Sequence, residues 1–226
     1  MKLAWLTDVH LNFLREDVSV QFLQSIARSD IDAFLFTGDI SSSQTLNYDL
    51  SLIEKYLQRQ VYFVLGNHDY YGSSIKNVRQ NMETVKNRCD HITYLGNVLY
   101  EKLSPATAII GHDCWYDAIL GDPYGSSFLM NDWRFIQDYA MLTHFNIHEC
   151  NDTQIKQKII NLSRELATAG VKHIHDGIKQ ATKFAKHIIV ASHPPPFKES
   201  SMNEGSVSDP GSLPWFSCKL LGVLLS

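Results

Sequence analysis

The sequence predicts an α/β fold whose first part is a largely parallel sheet. Short apolar runs alternate with longer segments in which apolar residues recur every three or four positions. The short runs are rich in β-branched and aromatic residues, which is typical of strands. They are almost wholly apolar, which indicates a sheet covered on both faces. The 226 residues suffice for one sizeable domain, and no boundary divides them, so we predict a single domain over residues 1–226.

The elements follow one another in a regular order. The predicted strands are residues 2–6, 33–37, 61–65, 107–110 and 188–191. The helical pattern covers residues 16–27, 46–57 and 73–88 in the first half of the chain. In the second half it covers residues 152–167 and parts of 171–186, and we expect breaks near Gly170 and Gly177 because glycine weakens helices.

Composition excludes several functional classes. The net charge of −4 gives no general attraction to nucleic acid or to an anionic membrane, so neither is an expected partner. No apolar stretch reaches the length that spans a bilayer. The four cysteines show no metal-binding or disulfide spacing, so we expect reduced thiols and a cytoplasmic location.

Short polar sequences follow four of the five predicted strands. They are Asp8-Val9-His10, Gly38-Asp39, Gly66-Asn67-His68-Asp69 and Ser192-His193. Taken alone, each is more typical of a turn, a helix cap or another structural role than of a ligand site. Ligands gather at the carboxyl ends of parallel strands, so their joint occurrence in this order predicts a metal site there. Mixed carboxylate, amide and imidazole ligands favour transition metals over calcium.

These motifs resemble the signature of the calcineurin-like metallophosphoesterases, and the resemblance spans residues 1–196. It implies two mixed β-sheets packed face to face with flanking helices, an αββα sandwich. It also implies hydrolysis of a phosphate mono- or diester by a hydroxide that bridges two metal ions. The ions would be divalent transition metals such as Mn, Fe, Zn or Ni.

The resemblance implies a role for each motif residue. Asp8 and His10 would hold the first metal ion, and Asp39 would bridge both. Asn67 and His193 would hold the second ion.

Two further residues would be catalytic. His68 would stand beside the metals and assist the leaving group. Asp69 would lie behind His68 and fix its ring; alternatively, Asp69 is the N-cap of the helix that follows.

The family's last motif, Gly-His-x-His, does not follow His193 in this sequence. We therefore expect that the chain is truncated at its carboxyl end and lacks the last strands of the fold. Each metal would lose one ligand, which predicts incomplete occupancy and low activity. An uncovered sheet edge would favour association with another chain.

The aromatic-rich segment 113–150 is a possible cap-like insertion. It would either stack on a planar group of the substrate or pack a small core of its own. His112, Asp113 and Tyr116 are candidates for a substrate pocket, with a structural role as the alternative for His112.

Two classes of function stay open at this point. The first is hydrolysis of a small phosphorylated molecule or a phosphoprotein. The alternative is a catalytically impaired binding or scaffold protein that keeps the fold. A nuclease would need a basic groove, which no run of Lys and Arg indicates.

Overall fold

A computed structural model describes residues 1–203 and 205–226 and shows two β-sheets. The first sheet has the order β1-β2-β3-β4, and all its strand pairs are parallel. Its strands are β1 (Leu3–Leu6), β2 (Ala33–Thr37), β3 (Gln60–Val64) and β4 (Ile92–Tyr94).

The second sheet is mixed. It contains β5 (Glu101–Ser104), β6 (Thr107–Gly111) and β7 (His187–Ala191). β5 is antiparallel to β6, and β6 is parallel to β7. A small hairpin follows, formed by β8 (Met202–Asn203) and β9 (Ser206–Val207).

The five predicted strands are confirmed, with bounds that differ by one residue at most. The sequence did not predict β4 and β5. β4 has only three residues, and β5 carries charged residues on a half-exposed edge, so neither has the apolar run that marks a buried strand.

The two sheets pack face to face, as the αββα prediction requires. Leu35 and Val64 of the first sheet share an apolar layer with Ile109 and Ala191 of the second. The first sheet is parallel rather than mixed, because a helical crossover follows each of its first three strands.

Helices cover the outer faces of both sheets. Against the first sheet lie α1 (Glu16–Ala27), α2 (Leu46–Leu57) and α3 (Ile75–Glu83), all within the larger apolar core. The second sheet is covered by α6 (Thr153–Ala181), and α7 (Lys219–Leu225) packs on α6.

Helix α6 is continuous, so the breaks predicted at Gly170 and Gly177 are wrong. A Cβ atom at position 170 would lie 2.8 Å from His112 Nδ1, and one at position 177 would collide with the carbonyl oxygen of Leu99. The two glycines therefore permit close approach of α6 to the neighbouring loops, and this packing outweighs their weak helix propensity.

The segment between β6 and α6 contains α4 (Asp132–Phe135) and α5 (Gln137–Leu142). Tyr116, Trp133 and Tyr139 from this segment form a buried aromatic cluster with Trp215. This cluster belongs to the larger apolar core, so the predicted alternative of a small core of the segment's own is wrong, and stacking on a substrate stays a prediction.

β1 is an edge strand of the first sheet, and its Trp5 side chain is 71% exposed. Association through this edge stays a prediction. Across residues 1–203 and 205–226, every helix is too short or too polar to cross a lipid bilayer.

Candidate metal centre

The Asp39 carboxylate lies at the centre of the residues that the strand-end motifs singled out. Its Oδ2 is 3.7 Å from His10 Nε2 and 3.9 Å from His68 Nε2. Its Oδ1 is 3.5 Å from His193 Nε2. Potential metal-ligand atoms form two groups, and within each group all the atoms lie within 4.8 Å of one another. Both groups contain Asp39: one also contains His10 and His68, and the other also contains Asp8 and His193. The motifs predicted this convergence because they follow β1, β2, β3 and β7.

The loops that carry these residues have an unusual backbone. Asp8, His10 and Asp39 have φ angles of 53°, 43° and 53°, a left-handed region that side chains disfavour. Two amides hold the loops together: Asp8 N donates to Gly38 O at 3.1 Å, and His10 N donates to Asp39 O at 3.0 Å. Such conformations persist where the surrounding structure enforces them, and they cluster at functional sites.

Glycine at positions 38 and 66 lets the other residues approach. Gly38 has a φ of 97°, and a Cβ atom there would lie 2.5 Å from His193 Nδ1. A Cβ atom on Gly66 would collide with Asp39 Oδ1. Both glycines of the motifs are therefore required by the close packing around Asp39.

His193 and Asn67 direct unshared electron pairs at the same point. His193 Nδ1 donates to the carbonyl oxygen of Thr37 at 2.8 Å, so Nε2 faces the site and carries an unshared pair whenever the ring is neutral. That nitrogen is 3.1 Å from Asn67 Oδ1. The Asn67 amide nitrogen donates to Asp132 at 2.7 Å, so its oxygen faces the site. Converging acceptors of this kind fit a cation, and the ring is oriented as in histidine ligands of metals.

The pKa of His193 agrees with this reading. Burial lowers the pKa, but the Asp39 carboxylate and the hydrogen bond to Thr37 outweigh burial, so the pKa is raised above its usual value. When the ring is protonated, the proton on Nε2 lies where the surrounding ligand atoms would hold a metal ion.

Asp132, in α4, is a site residue that the sequence did not indicate. It is fully buried and accepts hydrogen bonds from Asn67 Nδ2 and from the Tyr71 hydroxyl, both at 2.7 Å. Burial raises the pKa of Asp132 to about 6, against the effect of these hydrogen bonds. No local pattern distinguishes it, because its partners come from a motif 65 residues earlier.

His68 lies beside Asp39 Oδ2, whereas His193 lies beside Oδ1. Its ring stacks on Tyr71 with 4.3 Å between centroids and meets His10 edge-on at 4.7 Å. Burial is the main cause that lowers the pKa of His68, so the ring is neutral at neutral pH. Among the described residues, nothing pairs with its buried Nδ1.

Asp69 does not hold the His68 ring, and it does not cap the next helix. Its buried carboxylate accepts from the amides of Ser41 at 2.7 Å and Gly66 at 2.8 Å. Ser74 is the residue whose side chain caps α3. Both interpretations of Asp69 are therefore wrong: it ties the loop after β2 to the loop after β3. Burial raises its pKa to about 8, assisted by the nearby Asp39 charge.

The three predicted pocket residues lie in different surroundings. Asp113 and Tyr116 border a cavity next to the site, whereas His112 is not among the described residues that line it. The His112 ring packs on His173 with 5.2 Å between centroids, and its Nδ1 accepts from Cys114 N at 3.0 Å. Burial lowers the pKa of His112 to about 4. These contacts favour the structural alternative for His112.

The cavity has a volume of about 510 Å³. Asp8, Asn67 and His193 are among the residues that line it. The rest of its lining is largely apolar side chains and serines, among them Trp115, Phe128, Met130, Trp215, Phe216, Ser200, Ser201, Ser208 and Ser212. The segment 113–150 therefore contributes to this cavity as well as to the larger apolar core.

The sequence matches a model of the calcineurin-like phosphoesterases over residues 1–223. No curated protein matches it. Among solved structures, the phosphopantetheinyl hydrolase of Mycobacterium tuberculosis is similar at 12% identity and a TM-score of 0.61, covering 97% of this chain and 76% of that one. A dimetal phosphatase of Danio rerio is similar at 15% identity and a TM-score of 0.50, covering 99% of this chain and 76% of that one.

Proposed function

The chain belongs to the calcineurin-like phosphoesterases and is a metal-dependent phosphoester hydrolase, and on that premise we propose how its site works. Asp8 and His10 would hold one divalent ion, Asn67 and His193 would hold the other, and Asp39 would serve both. The observation that carries this proposal is the Asp39 carboxylate, whose Oδ1 is 3.5 Å from His193 Nε2 and whose Oδ2 is 3.7 Å from His10 Nε2.

Bound divalent ions lower the pKa of water and offset the charge of phosphate oxygens. The protein itself positions the ester. Asn67 is held by Asp132, and His193 is held by Thr37, so both ligands are fixed before an ion binds. Because these ligands are already in place, the site stabilises the charge that develops in the transition state more than the charge of the bound ester.

His68 assists the leaving oxygen in this proposal. Its Nε2 is 3.9 Å from Asp39 Oδ2, close to any ester bound there. The neutral ring carries one N–H group, which can donate a hydrogen bond to the departing oxygen. Tyr71 and His10 pack on the ring and keep it in place.

Small phosphorylated molecules and phosphoproteins stay the proposed substrates, in a cytoplasmic setting. The described lining of the cavity contains no Lys or Arg, so long nucleic acid is a poor fit.

The test is hydrolysis of bis-p-nitrophenyl phosphate and p-nitrophenyl phosphate with added Mn²⁺. We expect turnover that Asp39→Asn abolishes and that His68→Ala lowers by about a hundredfold, the usual scale of general acid catalysis. Asp49→Asn is the matched control, because Asp49 is also buried but accepts from the Ser41 hydroxyl and belongs to neither group of ligand atoms.

An unchanged rate in Asp39→Asn would show that the proposed centre is wrong. If the chain binds Mn²⁺ and phosphate esters but hydrolyses none, the alternative of an impaired binding protein gains.

A further inference from the structure

Resting on the proposed hydrolase function, we propose that the substrate is a phosphodiester whose retained arm is an uncharged, largely apolar group bound in the cavity beside His193. The leaving arm then lies near Asp39 Oδ2, next to His68. The proposal specifies both the class of ester and the chemistry of one arm.

The positions of the two histidines carry the first step. His193 lines the cavity, together with Asp8 and Asn67. It lies nearest Asp39 Oδ1, whereas His68 and His10 lie nearest Oδ2 and do not belong to the described lining. A phosphate at Asp39 therefore has the cavity near Oδ1 and His68 near Oδ2.

A diester can occupy both positions. The leaving oxygen must lie near His68 to receive its hydrogen bond. A monoester has one substituent, so with its leaving group beside His68 the cavity would contribute nothing to binding. A second ester arm reaches the cavity, and its binding energy helps to position the phosphorus atom.

The walls of the cavity define the retained arm. Phe128 and Phe216 remain 42% and 41% exposed and meet edge-on with 5.3 Å between their centroids. Exposed aromatic side chains grouped at a cavity are typical of a binding site for an apolar group. The volume of about 510 Å³ lies in the range of small-molecule sites.

The polar groups of the cavity are mostly uncharged. Serines supply hydroxyls that can donate and accept hydrogen bonds, so an arm with amide or hydroxyl groups is accommodated. In the described lining there is no cationic side chain apart from His193, whereas the acidic Asp209 belongs to it and the charge of Asp113 is already paired with Arg79. An anionic arm would therefore be repelled, and a neutral arm is favoured.

The reaction consumes one water molecule. The water oxygen forms a bond to phosphorus, and the bond from phosphorus to the leaving oxygen breaks. The departing oxygen takes up a proton and leaves as an alcohol, while the phosphate keeps the arm in the cavity as a monoester.

Three diesters with the same p-nitrophenyl leaving group test the proposal, with phenyl, 4-carboxyphenyl or methyl as the retained arm. The monoester p-nitrophenyl phosphate completes the set, and each rate is divided by the uncatalysed rate. With Mn²⁺, we expect kcat/KM for the phenyl diester to exceed those of the other three by about tenfold or more, the scale of one well-buried apolar group.

Variants of the cavity sharpen the test. We expect Phe128→Ala with Phe216→Ala to lower the ratio of phenyl to methyl diester turnover about tenfold. Phe145→Ala is the matched control, because Phe145 is 74% exposed and lies outside the cavity lining. Met202→Lys places a cation on an exposed lining residue and should raise turnover of the carboxyphenyl diester relative to the phenyl diester.

Equal or faster turnover of the monoester, or a phenyl-to-methyl ratio that the paired Phe variants leave unchanged, would overturn the inference while the proposed function stands. Failure of all four esters with Mn²⁺, in a chain folded by circular dichroism, would overturn both. Retention of the substrate ranking in Met202→Lys would show that the arm lies elsewhere.

Discussion

Asp39 and Asp113 are both buried aspartates at the carboxyl ends of strands, yet their surroundings are opposite. Asp113 accepts hydrogen bonds from Leu65 N at 2.8 Å, from the Tyr94 hydroxyl at 2.6 Å and from the Tyr70 hydroxyl at 2.5 Å. Arg79 adds an ion pair at 3.5 Å. Burial raises the pKa of Asp113, but His112, Arg79 and the hydrogen bonds outweigh burial and lower it.

Asp39 lacks such donors. In the described structure, the amide of His68 donates to its Oδ1 at 2.9 Å, and the other near groups are imidazole nitrogens at 3.5 to 3.9 Å. A buried carboxylate without sufficient donors costs free energy unless a cation compensates it. The comparison teaches that a buried carboxylate with a full set of protein donors stabilises the fold, whereas one with few donors can bind a ligand.

Replacing Asp39 should have the largest effect on activity. We expect Asp39→Asn to lower kcat/KM at least a thousandfold, about 4 kcal/mol in the transition state, because the carboxylate shared by both described groups of ligand atoms is lost. Its free energy of unfolding without metal should stay the same or rise, since a buried carboxylate with few hydrogen-bond donors is removed. Steady-state kinetics and urea unfolding measure the two effects. A large loss of stability would contradict the comparison.

Replacing Asp113 should have the reverse signature. We expect Asp113→Asn to lower the free energy of unfolding by about 3 kcal/mol, because the Arg79 charge and several buried donors lose their partner. Metal binding by the protein that remains folded should persist. Urea unfolding and metal analysis provide the measurements. Loss of metal without loss of stability would contradict the comparison, because it would make Asp113 a metal ligand rather than a structural residue.

His112 should make stability depend on pH. Its pKa is lowered to about 4 in the fold, so between about pH 6.5 and 4 the unfolded chain binds a proton that the folded chain does not. Stability is therefore fully present above pH 6.5 and is lost as the pH falls toward 4. From pH 7 to 4.5 we expect a loss of about 2 kcal/mol. In His112→Asn, which keeps an acceptor for Cys114 N, this part of the pH dependence should vanish. An identical pH profile of the variant would refute the assignment.

Asp132 should give the smallest effect. Because it holds Asn67 in place, we expect Asp132→Ala to weaken binding of one metal ion about tenfold, as for other partners of metal ligands. Asp132→Asn keeps an acceptor oxygen and should restore most of the affinity. Calorimetric titration with Mn²⁺ measures both, and equal affinities in the two variants would mean that Asp132 only fills space.

The sequence predicted the convergence of Asp8, Asp39 and His193 because parallel strands bring their carboxyl ends to one edge. It failed at Asp69, whose partners are amides of two other loops. It also failed at Asp132, whose contacts come from a distant motif. Side-chain hydrogen bonds between remote segments leave no local periodicity, so such roles cannot be predicted from spacing.

The sequence likewise misjudged α6. Glycine in a helix carries a local penalty, but Gly170 and Gly177 gain close contacts with the chain around Cys114 and Leu99. Tertiary packing of this kind overrides propensity. Asp113 and Asp39 were both singled out by position, and only the count of their donors separates a structural residue from a ligand.

The central claim is a pair of metal ions joined through Asp39. Electron paramagnetic resonance of the chain saturated with Mn²⁺ tests it most directly, together with the bound metal content. We predict two Mn²⁺ per chain with the signal of an exchange-coupled pair, and loss of that coupling in Asp39→Asn but not in Asp49→Asn. A single uncoupled Mn²⁺, or a coupled signal that survives in Asp39→Asn, would contradict the account.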